Sequence, residues 1–100
     1  MDKSEIINKI RAYKLLLKEH FELDKIYLFG SYAKGTNKID SDIDVAIIVN
    51  NMNEDYLSIA ALIWKLRRQI DDRIEPIIFE KEHDRSGFLD EIKRTGVEIF

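Results

Sequence analysis

The segment from Ile43 to Val49 constrains the fold of this chain more than any other. It is rich in β-branched residues, its last five residues are all apolar, and Asn50 and Asn51 follow it. A short β-branched run that ends at such polar residues is typical of a strand with little exposure to water. We therefore predict a largely buried strand, and the rest of the chain has to supply the surfaces that cover it.

Three other segments have the periodicity of amphipathic helices. The first begins at Asp2 and Glu5, which are spaced like a capping box, and the second begins at residues 53–55, an asparagine and two acids. The third is predicted over residues 86–95 and ends at Gly96. The apolar positions of the three helices are Ile6, Ile10, Tyr13 and Leu17; Ile59, Ile63, Leu66 and Ile70; and Phe88, Leu89 and Ile92.

Two further strands are predicted, over residues 25–29 and 73–79. Pro76 lies inside the second of them. Because proline cannot donate to a ladder, this strand is expected at a sheet edge or a bulge. Residues 31–41 are polar and are expected to form a loop. The elements predict an α+β fold class: a single domain over residues 1–100, with a small mixed sheet packed against helices in the order α-β-β-α-β-α.

Composition excludes several classes of function. The chain has 100 residues, of which 45% are hydrophobic and 35% charged, as in a globular domain. It has no cysteine, and its two histidines, His20 and His83, are far apart, so neither a disulfide framework nor a zinc site is indicated. The net charge of −3 is not that of a strongly basic nucleic-acid binder. No signal peptide or membrane span is visible, so we expect a cytoplasmic location.

Asp42 and Asp44 are separated by one residue at the start of the buried strand. The period of a strand places both carboxylates on one face while Ile43 points into the core. Such a pair is repulsive unless a cation lies between its members, and hard ions such as Mg²⁺ prefer oxygen ligands. The alternative is a polar turn that leads into a strand without further function.

The residues before this pair favour a phosphate site. Gly30 and Ser31 follow a predicted strand, and ten residues separate Ser31 from Asp42. Glycine permits positive φ and close approach, so such a turn can present N–H groups and a hydroxyl to a phosphate. A Walker A loop is excluded, because Thr36 and Asn37 stand where lysine and serine or threonine are required.

An EF-hand that would start at Asp40 is also excluded. Its sixth position is Val45 where glycine is required, and its twelfth is Asn51 where glutamate is required.

Glu75 is the candidate for a third carboxylate. It lies inside the third strand next to Pro76, and an acid in an apolar strand is costly unless it has a partner. The alternative is an edge-strand glutamate that points to water. Asp71 and Asp72 are rivals, although their position is that of a turn between helix and strand.

The two-part motif resembles the signature of the minimal nucleotidyltransferases, the smallest members of the DNA polymerase β-like nucleotidyltransferase superfamily. The parts that carry the resemblance are residues 30–35, Gly-Ser-Tyr-Ala-Lys-Gly, and residues 41–45, Ser-Asp-Ile-Asp-Val. Lys34 stands where arginine is frequent and Glu75 where the third acid is often aspartate, and both keep the charge. The resemblance covers essentially the whole chain and implies the nucleotidyltransferase fold.

The resemblance also implies transfer of a nucleotide from ATP. Two Mg²⁺ ions would be held by Asp42, Asp44 and Glu75, and Glu75 would help to deprotonate the incoming hydroxyl. The resemblance further implies that the β- and γ-phosphates are bound by Gly30 and Ser31, with Lys34 offsetting charge on the departing pyrophosphate.

Stand-alone minimal nucleotidyltransferases resemble the antitoxins of HEPN/MNT toxin–antitoxin systems, which implies that AMP goes to a tyrosine of a HEPN-domain RNase toxin. ATP and this toxin are the expected partners, in a homo- or hetero-oligomer, with no direct nucleic-acid or membrane contact. Two alternatives stay open: a small-molecule or nucleic-acid acceptor, and a non-catalytic antitoxin that neutralises its partner by binding. The basic face of the first helix is either solvated or a docking surface for an acidic partner; it consists of Lys9, Arg11, Lys14 and Lys18.

Overall fold

Four strands form one mixed sheet with helices on both of its faces. A computed structural model describes residues 2–50, 56–81 and 86–100. In chain order the elements are α1 (Lys3–Lys18), β1 (Lys25–Phe29), α2 (Ser31–Lys34), β2 (Ile43–Val49), α3 (Tyr56–Leu66), a 3₁₀ turn (Arg67–Gln69), β3 (Ile74–Glu80), α4 (Phe88–Thr95) and β4 (Val97–Glu98).

The order of the strands places β2 inside the sheet. Neighbouring strands follow the order β3-β2-β1-β4; β1 runs antiparallel to β2 and β4, whereas β2 and β3 are parallel. A parallel pair needs a long crossover, which α3 supplies. The predicted α+β class with a small mixed sheet is confirmed, and so is the edge position of the strand that contains Pro76.

Alternate residues of the strands divide the apolar side chains between two clusters. The larger cluster lies on the face that α1 and α3 cover, and the smaller one lies under α4. In β2, Ile43 and Val45 face the larger cluster, while Ala46 and Ile48 face the smaller one. The predicted burial of this strand is confirmed, because every residue of β2 except Asp44 is buried.

The helices follow the predicted periodicity. The four apolar positions of α1 are completely buried, and Asp2 caps the helix by accepting a hydrogen bond from the Glu5 N–H, 2.9 Å away. In the second predicted helix, which is α3, Ile63 and Leu66 are buried and Ile59 is partly buried. Ile70 packs against the same cluster but lies beyond the helix, because α3 ends at Leu66 and a 3₁₀ turn follows. The helix start predicted at residues 53–55 lies outside the described residues, as does His83.

Three details differ from the sequence prediction. Residues 31–34, predicted as loop, form the short helix α2, which ends at Gly35 in a left-handed conformation. The last predicted helix begins at Phe88, two residues later than expected, and a short strand, β4, follows it and pairs with β1. Two residues of strand carry too little sequence pattern to be recognised, and the pairing with β1 decides their conformation.

Two lysines of the basic face of α1 make tertiary contacts. Lys9 Nζ lies 2.7 Å from Asp71 Oδ2, and Lys14 Nζ donates to the carbonyl of Ile99 at 2.9 Å. This face therefore does more than interact with solvent, because it holds the helix against the remainder of the fold.

A search of the described helices for a membrane-spanning segment, which must be both long and apolar, finds none.

Asp71 joins three parts of the fold. Its carboxylate accepts hydrogen bonds from Lys9 of α1 and from both the backbone and the guanidinium of Arg73 at the start of β3. The Arg73 guanidinium also donates to the hydroxyl of Tyr32 in α2 at 3.4 Å. The hydrogen bonds from Arg73, with those from Lys9, hold the pKa of the Asp71 carboxyl well below its usual range. Asp71 is thus a structural acid.

The substitution Asp71→Asn tests this role. It removes the charge from a side chain that is only 10% exposed, and we expect the free energy of unfolding at pH 7 to fall by about 2 kcal/mol. Because the pKa of Asp71 is lower in the folded state, its contribution is present above the unfolded pKa of about 4 and is lost as the pH falls below it. Urea unfolding at several pH values should show the difference from wild type shrinking in acid.

Asp72→Asn is the matched control, because the Asp72 side chain is exposed and its backbone carbonyl, which the substitution keeps, accepts a hydrogen bond from Arg67. Equal losses of stability in the two variants would contradict the structural role of Asp71.

Candidate active site

Asp44 and Glu75 are brought together by the parallel pairing of β2 and β3. They are partners in the register of the two strands. Ile43 and Ile74, one residue earlier in each strand, face the cluster beneath α1 and α3, so the two acids project from the opposite face of the sheet. Asp44 is half-buried and Glu75 is exposed. Two carboxylates therefore stand side by side on the face that carries α4.

Asp42 lies one residue before β2, exposed, on the same side as Asp44 by the alternation of the strand. Burial raises the pKa of the Asp44 carboxyl above its usual value, and the negative charges of Glu75 and Asp42 raise it further. Because Glu75 is the register partner of Asp44 and Asp42 lies on the same side two residues earlier, the three acids lie at one edge of the acid-bearing face. Their mutual repulsion is the condition that a bound cation would relieve.

Gly30 forms the turn between β1 and α2, directly beside Asp44. Its φ of 74° and ψ of −150° lie in a region that is essentially restricted to glycine. A Cβ at this position would overlap Oδ2 of Asp44 and lie 3.1 Å from its Cγ. The missing side chain of Gly30 thus lets the backbone turn lie against the Asp44 carboxylate.

Ser31 and Lys34 are the first and last residues of α2, at opposite ends of one helical turn. Ser31 is half-buried and Lys34 is exposed. The helix is anchored by Tyr32, which is buried in the larger cluster, and by Lys3, whose Nζ donates to the Ala33 carbonyl at 3.2 Å. Tyr32 was missed as a positioning residue; the signal that could have revealed α2 is Gly35, a typical helix terminator four residues after Ser31.

An aromatic cluster borders the carboxylates on the same face. Phe29 is the register partner of Asp44 and belongs to the smaller cluster. The rings of Phe29 and Phe79 each contact the ring of Phe88 edge-on, at 5.8 Å between centroids. Phe88, in the first turn of α4, therefore extends an apolar surface from Phe29, the register partner of Asp44, on the face that carries the acids.

The donor set suits a hard divalent ion, although the acids are not in a joint ligating arrangement. Across residues 2–50, 56–81 and 86–100, no group of three or more acidic or histidine side chains has the geometry to hold a metal. The crowding of Asp44 by Asp42 and Glu75 nevertheless fits an oxygen-ligated cation, which removes their repulsion. Of the rival acids, Asp71 is already bound by Lys9 and Arg73.

The family model for polymerase β nucleotidyltransferases matches residues 8–100. The chain belongs to this family. Its four-stranded sheet has the nucleotidyltransferase fold, as the resemblance implied, and the chain is a nucleotidyltransferase.

Relatives of this nucleotidyltransferase include proteins named for transfer of AMP. It is 36% identical to a protein of Methanocaldococcus jannaschii that is provisionally named a protein adenylyltransferase, over 95% of this chain and 99% of the relative. It is 35% identical to protein adenylyltransferase MntA of Shewanella oneidensis, over 69% of this chain and 49% of that protein. A crystal structure of a toxin–antitoxin with AMP-PNP has a TM-score of 0.61 and 26% identity, and covers 93% of this chain and 73% of the other.

The close approach of Gly30 to Asp44 leads to a prediction with a matched control. Gly30→Ala and Gly35→Ala both place a methyl group at a φ near +75°, which costs about 1 kcal/mol or more. Only Gly30→Ala meets Asp44; a Cβ on Gly35 has no atom within 4 Å. We expect Gly30→Ala to weaken Mg²⁺–ATP binding about tenfold, equivalent to about 1.4 kcal/mol, and Gly35→Ala to leave it nearly unchanged.

Calorimetric titration with Mg²⁺–ATP measures the affinities, and urea unfolding confirms that both variants are folded. If the two variants bind Mg²⁺–ATP equally well, the turn at Gly30 has no part in the site.

Proposed function

We propose that this nucleotidyltransferase is an antitoxin that transfers AMP from ATP to a tyrosine hydroxyl of a HEPN-type RNase toxin and thereby inactivates the toxin. The observation that carries the proposal is the group of three acids beside the Gly30 turn. Phosphate-binding N–H groups next to carboxylates on a rigid sheet are the arrangement that nucleotidyl transfer requires.

In this proposal the three acids bind metal ions, and one of them also accepts a proton. Asp42, Asp44 and Glu75 would hold two Mg²⁺ ions, which offset the charge that develops on the phosphate oxygens. The exposed carboxylate of Glu75 also accepts the proton of the attacking tyrosine hydroxyl. Asp44 is half-buried in β2, which is paired with a strand on each side, so the position of its carboxylate is fixed by the sheet.

The turn after β1 orients the triphosphate. The N–H groups at Gly30 and Ser31 and the Ser31 hydroxyl bind the β- and γ-phosphates, because a turn with positive φ can present such groups to an anion and Gly30 lies beside Asp44. Lys34, exposed at the end of α2, offsets charge on the departing pyrophosphate. The α-phosphorus is then held between the turn and the strand, where the tyrosine oxygen attacks and pyrophosphate leaves.

The relatives support a protein acceptor. The M. jannaschii relative, matched over 99% of its length, is provisionally named a protein adenylyltransferase, which favours a protein as the acceptor. The structural neighbour solved with AMP-PNP is a toxin–antitoxin, which favours a toxin as the acceptor and an adenine nucleotide as the donor. A toxin would bring its own tyrosine to the exposed carboxylate of Glu75, on the face of the sheet that carries α4.

Transfer of label tests the proposal. The chain is incubated with Mg²⁺, ATP labelled at the α-phosphorus and the protein encoded beside it in its genome, and the modified residue is identified by mass spectrometry. We expect label on a tyrosine of that protein. We also expect Asp42→Asn and Asp44→Asn to slow labelling at least about a hundredfold, because the charge on the transferring phosphate is no longer offset.

Asp40→Asn is the matched control, because Asp40 is exposed two residues before Asp42 and is assigned no role. If Asp44→Asn labels and neutralises the partner as well as wild type, the proposal is wrong. Neutralisation without labelling indicates an antitoxin that acts by binding, and label on RNA or a small molecule indicates a different acceptor.

A further inference from the structure

Helix α3 is apolar on two sides, although only one of them faces the core. Ile63 and Leu66 are buried against the sheet. On the outer side, Leu57, Ala61 and Trp64 recur at i, i+4 and i+7, and Leu57 and Trp64 are 80% and 43% exposed. A surface helix normally has one apolar stripe, and a helix that is apolar all round is normally covered.

A group of cations adjoins the outer stripe at its C-terminal end. Lys65 and Arg68 are exposed, and the guanidinium of Arg67 lies 4.6 Å from the centre of the Trp64 ring. Together with Ala61 and Trp64 these three residues line a surface depression of about 270 Å³. Residues 56–70 contain no acid, so the charged side chains of this stretch, Lys65, Arg67 and Arg68, are all positive.

We propose that this outer surface, Leu57, Ala61 and Trp64 with Lys65, Arg67 and Arg68, docks an acidic amphipathic segment of a partner protein. Leucine-like side chains of the segment cover the apolar stripe, one of them enters the depression, and carboxylates pair with the cations. Leu57 and Arg68 are eleven residues apart, or about 16 Å along a helix, which matches about three turns of a docked helix.

A second copy of this chain fits the surface less well than an acidic partner. A two-fold axis close to the depression would bring Lys65, Arg67 and Arg68 of one copy near the same residues of the other, and like charges in contact weaken association. An acidic partner has no such repulsion.

A nucleic acid fits the surface less well than a protein. One face of the Trp64 ring already carries Arg67, and Leu57 and Ala61 offer neither charge nor a ring on which a base could stack. Tryptophan and arginine beside aliphatic residues are instead typical of the residues that dominate protein–protein affinity.

The proposed docking surface lies on the far side of the sheet from the acids. Ile63 and Leu66 pack in the cluster that includes Ile43 and Ile74, while Asp44 and Glu75 project from the other face. A partner held at α3 therefore leaves the triphosphate site open. That this partner is the toxin rests on the proposed function; the surface itself rests on the exposure and charge of α3.

Binding to the protein encoded beside this chain tests the surface, with Leu57→Glu, Arg68→Glu and the control Leu15→Glu. Leu15 is 65% exposed on α1 and is therefore a leucine of similar exposure outside the surface. Calorimetry is run at two salt concentrations. We expect Leu57→Glu and Arg68→Glu to weaken binding about tenfold or more, and Leu15→Glu to change the affinity less than twofold. Arg68→Glu should also reduce the salt dependence of the affinity.

The outcomes separate this inference from the proposed function. Unchanged binding by folded Leu57→Glu and Arg68→Glu, with wild type still labelling the partner, overturns the docking surface alone. Binding that is lost in these two variants, with no label transferred by wild type, supports the surface and overturns the proposed activity. No binding by wild type, or quenching of Trp64 fluorescence by single-stranded RNA, overturns the surface.

Discussion

The fold depends on burying β2 from both sides while Asp44 stays within reach of solvent. Ile43 and Val45 require cover on the face of α1 and α3, and Ala46 and Ile48 require it on the face of α4. Burial of this one strand explains the helices on both faces and the pairing with β1 and β3. Asp44 is the only polar residue of the strand, and it is half-buried at the second position of β2.

At Asp44 and Gly30 the arrangement needed for the proposed site lowers the stability of the fold. Burial raises the pKa of the Asp44 carboxyl, and the charges of Glu75 and Asp42 raise it further, while Gly30 adopts a conformation that other residues avoid. The rest of the fold compensates through apolar packing and through Asp71, which ties α1 to the start of β3. Because the Arg73 carbonyl also accepts a hydrogen bond from the Ile43 N–H at 2.8 Å, the same network supports the strand between the two aspartates.

Much of the fold could be predicted because its signals are local. The apolar stripe and the cap at Asp2 specify α1, and the β-branched run specifies β2. Pro76 correctly indicated an edge strand. The short helix α2 could not be predicted by periodicity, because four residues are about one turn. Nor could β4, whose two residues become a strand only by pairing with β1. Both α2 and β4 depend on contacts with residues that are far away in the sequence.

The sequence by itself determined which residue types the site would contain: a glycine–serine turn followed at a set distance by paired aspartates. The spacing of Asp42 and Asp44 places them on one face, because the period of a strand is two. The tertiary structure alone decided that Glu75 would stand beside Asp44, because the pairing of β2 with β3 is a contact across 31 positions of the chain. It also decided that α3 would leave an apolar side uncovered, since one face of a helix can pack on a sheet while the opposite face points away.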